Sequence, residues 1–502
     1  MRGVLVMSYI LGLDLGTSSL KGVIFDKNGN IVGQETEEYS LIHEKIGYSE
    51  QLPQDWIKTF EALMNKFTEK INDFASGLEA VSISGQMHGL VMLDNYNRIL
   101  RPAILWNDTR TTKECMEIKQ KVEKELLTIT KNQVLEGFTL PKILWVQKNE
   151  MDLWNKVSHI MLPKDYLVWY LTGEFATEKT DAAGTLLLDL ENGEWSDYLL
   201  EEFQIDKKIL PKIYDSIDVV GVFREQLQEK WNLKNKVKVV AGGADNACAA
   251  LGAGLINENF GMVSIGTSGV FLTFEKKVHD RYSGKLHLFN HTFPKSFYSM
   301  GVTLSAGHSL HWFRDVFARG TNFVELLKGI ENIEPGCKGL LFAPYIMGER
   351  TPYADSNIRG SFVGIDTTHT LEHFTRAVLE GVTFSLNDIK TLMENEVGKK
   401  FKKIVSVGGG AKSSEWLQIQ ADIFSCKVVT LKTDQGPAKG AAMLAMVAIG
   451  WYDNMPSCVD KLVEYDKEFY PKESNVKLYQ SVYHRYKKLY HSTKEICSQT
   501  VK

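Results

Sequence analysis

Residues 10–21 read ILGLDLGTSSLK, a stretch whose order of residue types indicates a strand that leads into a ligand-binding turn. It begins as an apolar strand, carries the carboxylate of Asp14 in its middle and ends in Gly-Thr-Ser-Ser. Backbone N–H groups and hydroxyls in such a turn suit phosphate oxygens. Asp14 would then face the phosphates and hold Mg²⁺ through water, because Mg²⁺ keeps much of its hydration shell. The alternative is a plain hairpin with a solvated acid.

The same pattern returns in the second half of the chain. Residues 261–278 read GMVSIGTSGVFLTFEKKV, which again predicts a strand, a Gly-Thr-Ser turn and a strand. The repetition indicates two related halves and favours phosphate binding over the plain hairpin. The second copy lacks the acid, which fits one metal ion rather than two. The P-loop and Rossmann glycine motifs are absent from the sequence, so neither of those nucleotide sites is indicated.

Length and composition predict two domains and exclude some classes of partner. A chain of 502 residues exceeds one core, since domains usually hold about 100–200 residues. The net charge of −4 argues against nucleic acid, which needs a basic face. No apolar run reaches the ~18 residues of a membrane helix. The six cysteines are scattered without a CxxC pair, which is typical of a reducing, cytoplasmic setting.

The N-terminus, MRGVLVMSYILGL, resembles a secretion signal in one respect, because an arginine precedes an apolar run. The run ends at Asp14 without a small-residue cleavage site, so a strand is predicted instead. Translation could begin at Met1 or at Met7, since the strand pattern starts just after Met7.

Hydrophobic periodicity predicts strands and helices on both sides of a boundary near residues 254–260. A strand, a glycine turn and a helix follow one another at 236–255, and a similar series fills 403–431. Further helices are predicted at 52–76, 110–130, 140–150, 163–171, 305–318, 370–395 and 436–450. No low-complexity linker separates the halves, so we expect them to pack closely and to hinge.

Two stretches place chemically useful residues where a predicted strand meets a helix. In GADNA (243–247) Asp245 could accept the proton of an attacking hydroxyl, because ligands of α/β folds gather at the carboxyl ends of strands. The same residue could equally be a helix N-cap. In GGGAKSSEW (408–416) the glycines let the backbone approach a flat or anionic ligand, although a flexible turn would look the same.

The loop GQMHG (85–89) carries side chains suited to a polyhydroxyl ligand. His88 could donate a hydrogen bond to a sugar oxygen, and Met87 could pack on a carbon chain. A satisfied loop histidine is the alternative. WNDTR (106–110) adds an amide, an acid and a guanidinium nearby, and its tryptophan is predicted to lie in the core.

Two further patterns favour structure over function. Histidine pairs could suggest zinc, but no cysteine or matching carboxylate set accompanies them, so a zinc site is not predicted. The pairs are His287/His291, His308/His311 and His369/His373. Aromatic residues at helical spacing near the C-terminus are predicted to dock a terminal helix rather than to bind nucleic acid. They are Tyr479, Tyr483, Tyr486 and Tyr490.

In combination, the motifs resemble the FGGY carbohydrate kinases from about residue 9 to about residue 490. The combination is specific, whereas GTSS or GGGA alone would not be. The motifs are GLDLGTSSLKGVIFD, GYSEQLPQDW, GQMHGLVMLD, RPAILWNDTRT, GFTLPKILWVQKN, GGADNACAALGAG, SIGTSG, LSAGHSLHWF, GERTPY and GGGAKSSEWLQIQADIF. One departure is Ala244, which stands where many bacterial members carry a glycine before the acid.

The resemblance implies an α/β fold of the actin-like, hexokinase-like ATPase type. Two domains would each be built on a ribonuclease H-like mixed sheet of five strands, with the catalytic cleft between them and one phosphate loop in each. We expect an N-terminal domain at 9–255, a C-terminal domain at 260–455 and a helical tail at 456–502.

The resemblance also implies the roles of individual residues. Asp245 matches the catalytic base, and Asp14 would lie near the phosphates with Mg²⁺ held through water. The other ATP-binding positions are matched by Thr17 and Ser18 in the first loop, Gly266 and Thr267 in the second, and Gly409, Gly410 and Ala411 on the adenosine side. The sugar-binding positions are matched by Gln86, Met87, His88 and Asn246, beside Asp245.

The implied reaction transfers the γ-phosphoryl group of ATP to the terminal hydroxyl of D-xylulose, with Mg²⁺ as cofactor, in the cytoplasm. Another sugar or sugar acid, such as L-ribulose or gluconate, is the first alternative; a carboxylate substrate would need an unpaired cation, for which Arg110 is the candidate. A non-catalytic nucleotide or sugar sensor is the second alternative. Neither nucleic acid nor a membrane is an expected partner, and a homodimer would follow from the resemblance alone.

Overall fold

The computed structural model of the protein describes residues 7–498, in which strands and helices alternate along the chain. The strands of the first half are β1 (Tyr9–Leu15), β2 (Ser19–Phe25), β3 (Ile31–Glu38), β4 (Glu50–Gln51), β5 (Leu78–Gly85), β6 (Val91–Leu93), β7 (Ala103–Ile104), β8 (His159–Met161), β9 (Ala176–Glu178), β10 (Leu188–Asp189), β11 (Glu194–Trp195), β12 (Lys212–Tyr214), β13 (Val219–Val222) and β14 (Lys238–Ala244). Its helices are α1 (Pro53–Lys70), α2 (Phe74–Gly77), α3 (Thr112–Thr130), α4 (Thr139–Asn149), α5 (Met151–Trp154), α6 (Pro163–Thr172), α7 (Lys179–Ala182), α8 (Asp197–Glu202), α9 (Glu225–Lys230) and α10 (Asp245–Gly252).

The second half repeats this alternation with longer helices. Its strands are β15 (Phe260–Ile265), β16 (Gly269–Glu275), β17 (His287–Asn290), β18 (Phe297–Thr303), β19 (Leu341–Ala343), β20 (Ser361–Val363), β21 (Lys403–Gly408), β22 (Lys427–Leu431) and β23 (Tyr465–Phe469). Its helices are α11 (Gly307–Phe317), α12 (Phe323–Leu326), α13 (Leu371–Val397), α14 (Ser414–Phe424), α15 (Pro437–Ala448), α16 (Met455–Leu462) and α17 (Glu473–Ser498). The predicted helices are present.

Two mixed sheets organise the molecule. Within the described residues, the first has six strands in the order β13-β14-β5-β1-β2-β3, and the second has seven in the order β17-β18-β16-β15-β21-β22-β23. The prediction of five strands per sheet was wrong because extra edge strands extend both sheets: β13 in the first, β17 and β23 in the second. The predicted strand, Gly-Thr-Ser turn and strand is confirmed in both halves, as β1–β2 and as β15–β16.

The parallel pairs of the first sheet run in register to their carboxyl ends. Leu15 of β1 pairs with Gly85 of β5, and Gly85 pairs with Ala244 of β14. The predicted glycine turn before Asp245 is not a turn, because β14 continues through both glycines with a register shift between Val240 and Gly243. In the second sheet, β15 and β21 also run parallel and end together.

Helix α15 joins the two halves of the sequence. Although it comes late in the chain, it packs on β1, β5 and β14 of the first sheet and on α10. The contact is between backbones: a Cβ added at Gly12 would lie 2.1 Å from the Ala438 carbonyl oxygen. One added at Gly440 would lie 1.9 Å from the Cys248 carbonyl oxygen. The core therefore crosses the predicted domain boundary, which stays a prediction.

The C-terminal helix α17 docks as predicted through its aromatic stripe. Tyr479, Tyr486 and Tyr490 are buried, and the Tyr479 hydroxyl donates to Glu380 Oε1 at 2.7 Å. The last four residues of the predicted tail, and the choice of Met1 or Met7 as the start, fall outside the described residues. Between residues 7 and 498, no helix combines the length and apolar character needed to cross a bilayer.

The α10–α15 contact predicts an unusual response to Gly440→Ala. Alanine is favoured over glycine in a helix by about 1 kcal/mol, but here its methyl would overlap the Cys248 carbonyl. We expect a net loss of about 1–3 kcal/mol in the free energy of unfolding by denaturant titration. The control is Gly33→Ala, whose methyl would meet the movable Ile71 Cδ1 at 3.0 Å and the Phe67 ring at an ordinary contact distance of 3.7 Å, with no backbone atom in the way. An equal effect at both positions would contradict the close packing.

Candidate active site

Three segments from different parts of the first half converge at one corner of the first sheet. Asp14 lies near the end of β1, the loop 86–88 follows β5, and Asp245 follows β14. Because these parallel strands end side by side, the predicted metal-binding, sugar-binding and catalytic residues of this half lie at one edge.

Asp14 is a partly buried carboxylate without a protein partner. No hydrogen bond or ion pair reaches its side chain from any described residue. Burial and, to a smaller extent, the charge of Asp245 raise its pKa to about 7, against the lowering effect of Lys21, which lies opposite on β2. An unpaired carboxylate in this setting fits a hard cation such as Mg²⁺. Lys21 was not predicted, although its cross-strand position opposite Asp14 could have identified it.

Asp245 presents one free oxygen to the corner. Its Oδ1 accepts the backbone N–H of Asn246 at 2.6 Å and the Asn246 Nδ2 at 2.9 Å, whereas Oδ2 has no partner among the described residues. Burial raises its pKa to about 6, an increase that the two hydrogen bonds from Asn246 already limit. The N-cap interpretation was wrong, because Ala244 occupies the N-cap position and Asp245 is the first helical residue. The free oxygen suits a proton acceptor.

The first phosphate loop, Thr17–Ser18, is held from behind. Tyr39 Oη donates to the Gly16 carbonyl at 2.5 Å, and Gln51 Nε2 donates to the Thr17 carbonyl at 2.5 Å. Trp106 Nε1 donates to Thr17 Oγ1 at 2.9 Å. With these carbonyls occupied, the loop N–H groups remain for a ligand, as anion-binding turns require.

Trp106 and Gln86 lie near this loop, in positions that differ from those expected from the sequence. Trp106 was predicted to lie in the core, but 43% of it is exposed, because its N–H reaches the loop from the cleft side. Gln86 was predicted to bind the sugar, but only 1% of it is exposed. Its Nε2 donates to Gln51 Oε1 at 3.0 Å, so Gln86 supports the phosphate loop through Gln51.

The second phosphate loop has the same construction. Gly16 N–H donates to the Ser19 carbonyl at 3.0 Å, and Gly266 N–H donates to the Ser268 carbonyl at 3.0 Å, so both turns close alike. The carbonyls of Gly266 and Thr267 accept N–H groups from the start of α11.

The adenosine-side loop lies directly beside the second phosphate loop. Gly410 packs against Ile265, the last residue of β15, where an added Cβ would lie 2.7 Å from the Ile265 side chain. Gly409 and the half-buried Ala411 flank it, and Gly409 is exposed. The structure therefore brings the predicted ATP residues of the second half together.

His88 acts with the opposite hydrogen-bonding polarity to the one predicted. Its Nδ1 lies 2.6 Å from the Gly184 carbonyl, which can only accept, so Nδ1 carries the proton. Burial lowers its pKa to about 3, so the ring is neutral. Nε2, without a partner in the described chain, is therefore an acceptor. The predicted donor role was wrong, because the backbone occupies the only N–H.

Aromatic residues from both halves surround this imidazole. The ring centroids of His88 and Phe138 lie 4.7 Å apart, and those of His88 and Phe289 lie 6.1 Å apart. The Tyr298 hydroxyl approaches Met87 Sδ at 3.9 Å. The sugar loop therefore faces strands β17 and β18 of the second half, which the sequence did not indicate.

Two arginines differ in their availability. Arg110 is buried and paired with Asp108 at 2.7 Å and Glu50 at 2.6 Å, so it cannot receive a substrate carboxylate. The guanidinium of Arg350, which was not predicted, has no hydrogen bond or ion pair to a described residue, although the Arg350 backbone N–H donates to Glu349 Oε1 at 2.8 Å. Its charge lowers the pKa of both His88 and His287, so it lies near them.

A buried cluster of one lysine and three carboxylates, centred on Lys164, lies next to this corner. Lys164 Nζ lies 2.9 Å from Asp165 and 3.8 Å from both Glu178 and Asp181. Neither carboxylate oxygen of Asp181 has a hydrogen-bond partner. Burial raises the pKa of Asp181, and the charge of Asp245 raises it further. In the described residues, no group of three or more His, Cys, Asp or Glu side chains could hold a metal ion.

Comparison with known proteins agrees with this geometry. The model for the N-terminal domain of the FGGY family of carbohydrate kinases matches residues 9–252, and the model for the C-terminal domain matches residues 261–449. The chain belongs to the FGGY family of carbohydrate kinases. It therefore has the family's two-domain, actin-like fold and is an ATP-dependent sugar kinase.

Individual relatives are similar over the full length. The chain is 51% identical to the xylulose kinase of Lactococcus lactis subsp. lactis (strain IL1403), over 99% of each chain. The ligand-bound xylulose kinase from Lactobacillus acidophilus is 28% identical with a TM-score of 0.92, covering 97% of this chain and 98% of that one. The gluconate kinase from the same organism is 27% identical with the same TM-score and coverage. Because a xylulose kinase and a gluconate kinase resemble this chain equally well, the backbone fold alone does not identify the sugar substrate.

The Asp245 carboxyl predicts a pH dependence. A base must be ionised, so kcat should rise as pH increases through about 6 and then level off. Asn246→Ala removes a hydrogen bond that stabilises the ionised form, so the midpoint should move up by about one pH unit. Both profiles should be recorded at saturating Mg²⁺, since a nearby cation keeps Asp14 ionised. Asn155→Ala, on the surface, is the control. An unmoved midpoint in Asn246→Ala would exclude Asp245 as the titrating group.

Proposed function

We propose that this kinase transfers the γ-phosphoryl group of ATP to the terminal hydroxyl of D-xylulose, giving D-xylulose 5-phosphate. The reaction type is supported by the free Oδ2 of Asp245, which can act as a proton acceptor. This atom lies at the corner where the sugar loop and the first phosphate loop meet. The choice of sugar is supported by the full-length similarity to the Lactococcus lactis xylulose kinase.

The phosphate side of the cleft positions the nucleotide. The N–H groups of the two loops, at Thr17–Ser18 and Gly266–Thr267, would bind the phosphates, and Gly409 would let adenosine approach the backbone. Asp14 would hold Mg²⁺ through water, with the remaining ligands from water and the phosphates. When bound, Mg²⁺ would neutralise the negative charge that develops on the phosphoryl group during transfer.

The sugar side orients the acceptor. Met87 would pack on the carbon chain, His88 Nε2 would accept a sugar hydroxyl, and Asn246 would hold Asp245 beside the terminal hydroxyl. Asp245 Oδ2 then orients that hydroxyl in line with the γ-phosphorus and takes its proton. Closure of the halves would exclude water, which would otherwise compete for the phosphoryl group.

A sugar acid such as gluconate is the second candidate substrate. The unpaired Arg350 near His88 favours it, because a guanidinium suits a carboxylate. The negative charge of Glu136 acts on Arg350 and opposes this preference. A sensor without catalysis is disfavoured, because a sensor needs no free base at Asp245. The five buried cysteines, Cys115, Cys248, Cys337, Cys426 and Cys458, form no disulfide, in keeping with the cytoplasmic location that we propose. A homodimer stays a prediction.

The first experiment measures ADP release with Mg²⁺–ATP for D-xylulose, L-ribulose, L-xylulose, D-gluconate, glycerol and no sugar. We expect strong, selective turnover of D-xylulose. Preferential turnover of another compound would overturn the substrate while keeping the roles of Asp14 and Asp245. Binding of a sugar by calorimetry without turnover of any would favour the sensor.

Asp245→Asn tests the base directly. The amide keeps the size of the side chain but cannot accept the proton, so we expect kcat to fall by two or more orders of magnitude. Nucleotide binding, measured by calorimetry, should stay within about twofold, because Asp245 does not line the phosphate loops. Turnover near the wild-type rate would contradict the assignment.

A further inference from the structure

His287, on β17 of the second half, presents a free acceptor to the cleft. Asn132 donates from Nδ2 to the Leu288 carbonyl at 2.7 Å, which identifies the other amide atom, Oδ1, as an acceptor. His287 Nδ1 lies 3.2 Å from that oxygen, so Nδ1 carries the proton. Nε2 has no partner among residues 7–498 and is only partly buried. It is therefore an available hydrogen-bond acceptor.

His287 and His88 form a matched pair from opposite halves of the molecule. Both rings contact Phe138: the centroid of His287 lies 5.7 Å from that of Phe138, and the centroid of His88 lies 4.7 Å from it. Both rings also contact Phe289. Burial lowers the pKa of each imidazole to about 3, so both are neutral. The Nδ1–H of each imidazole points to a protein oxygen, and Nε2 is therefore available to a ligand. Two such acceptors beside apolar rings suit a molecule with several hydroxyls on a carbon chain.

Arg350 supplies hydrogen-bond donors near these two imidazoles, on whose pKa values its charge acts. Its neighbours fix the loop: Glu349 accepts from Thr303 Oγ1 at 2.7 Å and from Ser385 Oγ at 2.9 Å. On the other side, the Thr351 N–H donates to the Val302 carbonyl at 3.0 Å. The guanidinium is only partly buried and has no partner in the described part of the chain. An arginine presented by a pinned loop loses little freedom on binding.

Strand β18 connects His287 to the loop that carries Arg350. His287 pairs with Met300 of β18, and the Thr351 N–H donates to the carbonyl of Val302, two residues further along the same strand. The backbone of this loop is therefore anchored to β18 close to the residue that pairs with His287, and the charge of Arg350 acts on the His287 imidazole.

We propose that His287 and Arg350 complete the sugar site from the second half, with His287 Nε2 accepting a sugar hydroxyl and Arg350 donating to sugar oxygens. The inference rests on the proposed function, because it places the sugar beside His88. Every sugar hydroxyl both donates and accepts, so two acceptors and one donor group match it better than a single histidine does. Since His88 and His287 lie in different halves, the sugar would hold the halves together.

His287→Phe separates binding from packing. Phenylalanine keeps the ring contacts with Phe138 and Phe289 but removes Nε2. It also removes the Nδ1 bond to Asn132 Oδ1, which still accepts the Leu288 N–H at 3.2 Å. Loss of one hydrogen bond predicts a rise of about tenfold in KM for D-xylulose. The KM for ATP should stay near wild type, because the nucleotide loops are unchanged. The melting temperature should fall by only a few degrees, because the ring packing is kept and one hydrogen bond to Asn132 is lost. A sugar KM within twofold of wild type would overturn the role of His287.

Arg350 is tested by a graded pair. Arg350→Gln keeps a single amide donor and should raise the sugar KM by tenfold or more, whereas Arg350→Lys keeps the charge and should recover part of the loss. Arg319→Gln, at an exposed position, is the control for loss of positive charge. An unchanged sugar KM in Arg350→Gln, or an equal rise in the KM for ATP, would overturn the role of Arg350.

The reaction of the enzyme and the sugar contacts of His287 and Arg350 are tested by different measurements. The substrate panel uses the wild-type enzyme alone, so turnover of D-xylulose supports the proposed function whatever the variants do. If the panel identifies another substrate, the same variants are measured with that compound, and an unchanged KM there would overturn the second-half contacts. Calorimetric titration of the sugar in the absence of ATP should show the same losses as KM.

Discussion

The parallel pairing of β1, β5 and β14 is the constraint on which the rest of the structure depends. These strands end in register, which brings Asp14, the loop 86–88 and Asp245 to one corner from three distant parts of the sequence. The arrangement has an energetic cost, because burial disfavours ionisation of both carboxylates and the charge of Asp245 disfavours ionisation of Asp14 further. A bound cation would relieve that cost, so the corner is poised for a ligand rather than for stability.

The junction of α10 and α15 ties this corner to the second half. Gly12 lies in the strand that carries Asp14, and Gly440 touches the helix that begins at Asp245. Backbones that meet without intervening side chains have little room to slide. We therefore expect the floor of the cleft to keep its geometry, and any closure to occur where the halves meet through loops and β17. The same close packing stabilises the fold and positions the base.

The cleft is divided electrostatically into two regions. The phosphate region carries Asp14, Lys21 and free backbone N–H groups, all suited to a charged nucleotide with its cation. The sugar region carries neutral imidazoles beside aromatic rings, with Arg350 as its one cation lacking a protein partner among the described residues near His88. Neutral acceptors bind hydroxyls without the desolvation cost of an ionised group. This division matches a reaction in which an uncharged polyol attacks a charged phosphoryl group.

The sequence by itself determined the repeated strand–turn–strand units, most helices and the family, because these depend on local residue order and on short motifs such as GLDLGTSS. It also identified Asp14 and Asp245 as candidates, since an acid at a strand end is visible locally. Only the tertiary structure decided what depends on distant partners. The carbonyl of Gly184 sets the tautomer of His88, Gln51 accepts the side-chain N–H of Gln86, and β17 brings a second histidine to the Phe138 ring that His88 contacts. No local pattern carries that information, because hydrogen-bond polarity is set by whichever atom the fold places nearest.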